Sequence, residues 1–178
     1  MATPEFIVEL RKKIGHDPLF LAGVTAIVIK DVPPGAPVFE VPQVLLVKRA
    51  DTGEWTPVTG IIDPGEEPHS AAVREVAEET GLEVSVEALL GVGAIEPVTY
   101  PNGDQCQFLE TAVRCSVIGE DKPIVGDDES TDVRWFSIMQ MPPMQPRFRL
   151  CIGDAVAQLR HPEGYRARLG FEKRDRTR

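Results

Sequence analysis

The stretch from Gly60 to Leu82, GIIDPGEEPHSAAVREVAEETGL, constrains this chain more than any other. Asp63-Pro64-Gly65 is a turn signal. Pro68 suits the first turn of a helix, where its missing N–H would be unpaired anyway, and Gly81 suits the left-handed position just past a helix end. The spacing therefore predicts a loop, a helix from Pro68 to Thr80 and a stop. At about 100° per residue Glu75, Glu78 and Glu79 share a third of the helix circumference, while Val73, Val76, Ala77 and Thr80 cluster opposite as a core face. Carboxylates three and four residues apart repel one another, more so where they lose water. A cation is expected among them. Arg74 reaches Glu78 at i+4 but leaves most of the acidic charge uncompensated, and hard oxygen ligands of this kind suit Mg²⁺ or Mn²⁺. Ala71 and Ala72, at the flanks of the acidic face, leave room above it for an ion and a ligand.

The spacing has a second reading. Gly60, five residues, Glu66, seven residues, Arg74-Glu75, an aliphatic Val76, one residue, Glu78-Glu79, one residue, Gly81 and an aliphatic Leu82 resembles the signature of the Nudix hydrolases, with every fixed position filled. The resemblance implies an α/β/α sandwich around a mixed β-sheet, and hydrolysis of a diphosphate linkage with divalent metal. It assigns Glu75, Glu78 and Glu79 as metal-ligand candidates, Glu79 foremost, with one of them free to act on the attacking water instead. It adds the Gly60 carbonyl as a ligand and an Arg74–Glu66 ion pair that orients the helix. Family members often place a further glutamate outside the motif, which makes Glu129 of Asp127-Asp128-Glu129 the candidate base, with Glu96 and Glu110 as weaker competitors.

The rest of the chain is compatible with that architecture. At 178 residues it reads as one domain, residues 1–160, followed by a basic tail, 161–178, expected to be mobile. Residues 3–14 form an amphipathic helix with Phe6, Ile7, Leu10 and Ile14 on one stripe, which must pack on the domain or on a second copy in a homodimer. Runs at 23–30, 43–49, 54–59, 83–86, 89–98, 105–117 and 133–138 have strand character, and 146–160 reads as a closing helix. Residues 31–42, with five prolines or glycines, form a stiff irregular loop. Asn102-Gly103 marks a hairpin, with positive φ expected at both positions. Trp55 is expected to pack under the motif.

Charge and composition narrow the partners. The formal charge of −9, from 19 basic and 28 acidic side chains, argues against nucleic-acid or anionic-membrane binding through counterion release. Cys106, Cys115 and Cys151 have no CxxC relation and read as reduced core residues. The most apolar run is too short to span a bilayer, and a cytoplasmic location is expected. Arg49, at a strand end, is either a phosphate contact or a surface residue; Tyr100, Phe108 and Phe20 are candidates to stack on a nucleobase. His69 reads as surface. Pro97 resembles a marker of ADP-sugar pyrophosphatases and Tyr100 one of dinucleoside polyphosphate hydrolases, so the two do not discriminate. The expected substrate is a nucleoside diphosphate linked to another group, ADP-ribose or a nucleotide sugar first. Nucleoside triphosphates, dinucleoside polyphosphates and a catalytically silent nucleotide-binding domain are the alternatives, and retention of all the glutamates argues against silence.

Overall fold

The computed structural model describes residues 3–171. In chain order the elements are α1 (Glu5–Ile14), β1 (Leu19–Lys30), β2 (Gln43–Arg49), β3 (Trp55–Thr56), β4 (Val58–Ile61), α2 (Pro68–Thr80), β5 (Val84–Ala94), β6 (Val98–Thr99), β7 (Gln105–Val117), β8 (Ser130–Ser137), α3 (Pro146–Arg160), a 3₁₀ turn (Pro162–Gly164) and β9 (Arg168–Leu169).

The strand β1 is the spine. It runs parallel to β7 from Leu19↔Cys106 to Val28↔Cys115, antiparallel to β4 from Gly23↔Ile61 to Ala26↔Val58, and antiparallel to β2 at its last two residues. β8 and β3 flank β2, while β5 continues the sheet beyond β7. Val24, Ala26 and Val28 pack with Ala71, Ala72 and Val76 of α2; Ile27 and Ile29 pack with Cys151, Ile152 and Ala155 of α3. A strand covered on both faces reads as a continuous apolar run instead of an alternation, which is why 24–29 shows no polar phase beyond Thr25. The result is a mixed sheet with α2 on one face and α1 and α3 on the other, the α/β/α arrangement expected. The three cysteines are buried and unbridged. Among the described residues, no helix is long and apolar enough to cross a membrane.

Several expectations need correction. Of the two expected uses of the α1 stripe, packing on the domain is seen for Ile7, buried with Leu21, Cys106 and Phe108, while Leu10 is exposed. Strand β1 begins four residues earlier than its β-branched run, because pairing with β7 extends it. The segments 83–86 and 89–98 merge into β5, which ends at Ala94 and has register shifts at Val86/Ala88 and Leu89/Gly91, while Val98 belongs to β6; β8 starts at Ser130. In the hairpin only Gly103 has positive φ (92°); the Tyr100 N–H donates to Asp104 O and the Gly103 N–H to Tyr100 O, so the turn is closed by glycine alone. Trp55 lies on the α3 side, edge-to-face with Phe136 at 4.8 Å between centroids, away from the motif helix.

The largest correction concerns residues 161–171, expected as part of a mobile tail. They turn at Pro162–Gly164 and add β9 in parallel to the edge of β5, Gly91↔Arg168 and Val92↔Leu169. The Tyr165 hydroxyl donates to Leu90 O (2.8 Å), and Arg168 forms a two-point pair with Asp154 of α3 (2.9 Å at both contacts). Residues 172–178 of that expected tail lie outside the described residues.

Candidate active site

Helix α2 starts at Pro68 and ends at Gly81, whose left-handed φ of 68° turns its N–H onto Ala77 O, as the sequence predicts. Its orientation differs from the prediction. Ala71, Ala72, Glu75, Val76, Glu79 and Thr80 are buried, whereas Ala77 and Glu78 are exposed. These six positions form one continuous arc, so two of the three carboxylates point inward together with the alanines, which are core and not the rim of an open face.

Glu75 is fully buried against Gly60 of β4. A Cβ on Gly60 would stand 2.0 Å from the Glu75 Cδ, so only glycine lets the carboxylate lie there. Glu75 Oε1 accepts from Arg74 Nη1 (2.8 Å), but Oε2, shut off from solvent, meets no hydrogen-bond partner among the described residues. A buried unpaired carboxylate oxygen is costly. Glu79, one turn on, accepts from the Ser130 hydroxyl at 3.4 Å. Burial pushes both carboxyls up to about 7, and the charge of Glu75 and of Asp127 adds to the shift of Glu79.

Arg74 ties this face together. Its Nε and Nη2 meet both oxygens of Glu66 at 2.9 and 2.8 Å, Nη2 also donates to Ile61 O, and Nη1 reaches Glu78 Oε2 at 3.3 Å. The hydrogen bond to Arg74 holds Glu66 below the ordinary carboxylate range, and its partners keep Arg74 protonated. Glu66 also accepts from the Asp63 N–H (3.1 Å), so the loop, the pair and the helix are locked as one unit.

The loop before β8 straps the C-terminal end of α2. Ile124 N–H caps Thr80 O at 2.9 Å and Gly126 N–H caps Glu79 O at 3.0 Å, using helix-end carbonyls that otherwise lack partners. A Cβ on Gly126 would stand 1.9 Å from Glu78 O. The strap brings Asp127 within electrostatic reach of Glu79. Glu129 is anchored by its backbone: its carbonyl accepts from Ala50 N–H (2.7 Å) and its N–H donates to Asp127 Oδ1. Sequence reasoning missed Gly126 and Ser130; a lone glycine ahead of Asp-Asp-Glu was the available signal.

The remaining candidates divide. Arg49 lies within electrostatic reach of Glu79 and Tyr100, and grips Asp51 through two hydrogen bonds. Tyr100 is half-exposed on the β6–β7 hairpin, its phenol raised by burial. Phe108 is buried in the α1 cluster, so it is packing and not a stacking surface; Phe20 is exposed at the start of β1. Glu110 faces α1 and α3, across the sheet from α2, where it accepts from the Thr25 hydroxyl and lies 3.8 Å from Arg147. That position removes it as a base for the α2 site. Glu96, His16, His69 and His161 are exposed. Among the described residues no three His, Cys, Asp or Glu side chains are gathered to ligating distance, and Arg74 pairs with Glu75 and Glu78.

Comparison with known proteins bears on the family and the fold. The model of the NUDIX domain matches residues 31–157. An NAD-capped RNA hydrolase NudC of Vibrio cholerae is 33% identical over 107 residues, 59% of this chain and 36% of that protein. The chain spans about a third of the length of the curated relatives it matches. Among solved structures, an ADP-ribose pyrophosphatase of Streptococcus suis superposes with a TM-score of 0.61 at 18% identity, covering 84% of this chain and 98% of that one. A NUDIX hydrolase of Nitrosomonas europaea gives 0.58 at 25% identity, over 84% and 93%. With a complete Gly60–Leu82 motif set on β4 and α2, and a domain match over more than half its length, the chain belongs to the Nudix family.

Proposed function

We propose that the protein is a Mg²⁺-dependent pyrophosphohydrolase that cleaves the diphosphate linkage of a nucleoside diphosphate joined to a second group, with ADP-ribose or a nucleotide sugar as substrate. One observation carries the reading: two carboxylates buried one turn apart, one with an oxygen lacking a partner, beside a glycine that admits nothing larger. Such a site suits a hard divalent cation. Glu75, Glu79, the more exposed Glu78 and the Gly60 carbonyl are the groups that would hold it. When bound, the cation supplies neutralisation of the phosphate oxygens and a lowered pKa for a coordinated water.

The chain's own residues do the rest. Arg74 and Glu66 orient the helix so that Glu75 and Glu79 share one face of the site. Outside the helix, the acidic loop Asp127-Asp128-Glu129 would supply the carboxylate that takes a proton from water, Glu129 foremost. Arg49, within electrostatic reach of Glu79 and Tyr100, would meet the phosphate chain, and Tyr100 the group attached to it. The names borne by structures of the same fold, ADP-ribose pyrophosphatase, UDP-X diphosphatase and Ap4A hydrolase, share a nucleoside joined to a chain of two or more phosphates.

The test is product analysis on ADP-ribose, nucleotide sugars, dinucleoside polyphosphates and nucleoside triphosphates, with and without Mg²⁺, with Glu79→Gln as control. Metal-dependent cleavage of ADP-ribose or a nucleotide sugar, lost in Glu79→Gln, is the expected result. No turnover across the panel, with thermal stabilisation by nucleotide intact, would replace the enzyme with a binding module.

A further inference from the structure

The turn after β2 sets an acid against a cation that faces the site. Strand β2 pairs with β8 residue for residue up to Lys48↔Asp132, then Arg49 meets Ser130 and Thr131 is left unmatched, its hydroxyl donating to Lys48 O at 3.3 Å. An extra residue of this kind bends the pair and re-aims its neighbours. The partner of Arg49 across the bulge, Ser130, is the hydroxyl that donates to Glu79, and the guanidinium is within electrostatic reach of Glu79 and Tyr100.

The guanidinium fork is nevertheless engaged. Arg49 Nε donates to Asp51 Oδ1 at 2.9 Å and Nη2 to Oδ2 at 2.8 Å. The Thr52 N–H holds Oδ1 at 2.8 Å, and the Gly53 N–H closes the turn on Arg49 O at 3.0 Å. A guanidinium uses this planar two-point arrangement for phosphate as readily as for carboxylate. Asp51 is 53% exposed, and a pair so open to water is weakly held and easily exchanged.

We propose that Asp51 stands in for a substrate phosphate: it occupies the Arg49 fork in the free protein and gives it up to a phosphate of the incoming nucleotide. Asp51 then sets how tightly the phosphate chain is held, and is a specificity-determining residue that favours ligands with enough phosphate charge to displace it. This rests on the hydrolase reading, since it takes the space between Glu79 and Tyr100 as the phosphate path. An Asp51 that merely oriented Arg49 would act with the opposite sign, because its loss would weaken phosphate binding.

The test uses inorganic pyrophosphate, titrated calorimetrically in Mg²⁺ buffer into the full chain and into Asp51→Asn, Asp51→Ala, Arg49→Gln and the Asp51→Asn/Arg49→Gln double variant. Both Asp51 variants are expected to lower Kd about fivefold, and the gain is expected to vanish when Arg49 is glutamine. An unchanged or higher Kd in the Asp51 variants overturns the inference. So does the same gain without Arg49, which would mean simple charge repulsion, and so does the absence of any pyrophosphate binding. The KM for ADP-ribose is expected to fall with the Kd. Wild-type protein that binds pyrophosphate yet hydrolyses no nucleotide would count against the hydrolase reading alone.

Discussion

A methyl group on Gly60 would have to share space with the Glu75 carboxylate, so backbone and charge at these two positions depend on each other. Gly60→Ala is expected to cost about 1–3 kcal/mol through overpacking and to remove most turnover, read by thermal melts and by kcat. Glu66→Gln leaves the packing intact but takes away the charge that grips Arg74. An about 10- to 100-fold loss of turnover is expected, with a melting temperature within a few degrees of wild type; unchanged turnover would mean that the pair does not orient the site. At this scale the sequence was legible for identity and spacing, and misleading for direction. Periodicity relates the residues of α2 to one another but does not say which arc faces the sheet. The spacing set the glutamates opposite a core face of Val73, Val76, Ala77 and Thr80, whereas Glu75 and Glu79 lie on the buried arc with Ala71, Ala72 and Val76. Phe108 shows the converse: an aromatic residue near the site by sequence order is core by strand parity.

Among the elements, the existence of the long ones was readable, the bounds of β1 and β5 were not, and the two-residue strands were not readable as elements of their own. Helices α2 and α3 and strands β2 and β7 match their predicted bounds, because each carries a full period of apolar residues or a proline at its start. Strand β9 has two residues and no pattern; it exists because Tyr165 and Arg168 find partners on β5 and α3, contacts that only the folded chain provides. Gly91 and Gly93 of β5 admit β9: a Cβ on Gly91 would stand 2.9 Å from Arg168 O. Arg168→Ala is expected to lower the melting temperature by about 2–4 °C, the shift that about 1 kcal/mol gives in a chain of this size. Truncation after Arg160 would bare the edge of β5, and concentration-dependent association by light scattering is the expected outcome.

For the molecule as a whole, two carboxyls raised to about 7 link stability to pH and metal. In the unfolded chain they lose their protons near the ordinary carboxylate value of 4.5; in the folded chain they keep them to about 7. The folded state therefore binds more protons across that window, and this contribution to stability falls as pH rises through it. In EDTA the melting temperature is expected to be higher at pH 6 than at pH 8. Added Mg²⁺ should narrow the difference, since it favours the ionised form, and Glu75→Gln/Glu79→Gln should flatten it. A midpoint that climbs toward pH 8 without metal would contradict the raised titration of these buried carboxyls.

The parallel pairing of β1 with β7 joins Leu19 to Cys106 and leaves β4, with Gly60, hanging from the same strand. During synthesis, a nascent chain that has just completed α2 already carries Glu66, Arg74, Glu75, Glu78 and Glu79, yet has no finished sheet to set them against. Closure over so long a stretch of chain is the slow kind of folding event. The acidic helix has β1, β4 and Gly60 to pack on from the start, whereas Ser130 and Asp127, which complete the surroundings of Glu79, arrive only with the second half of the chain.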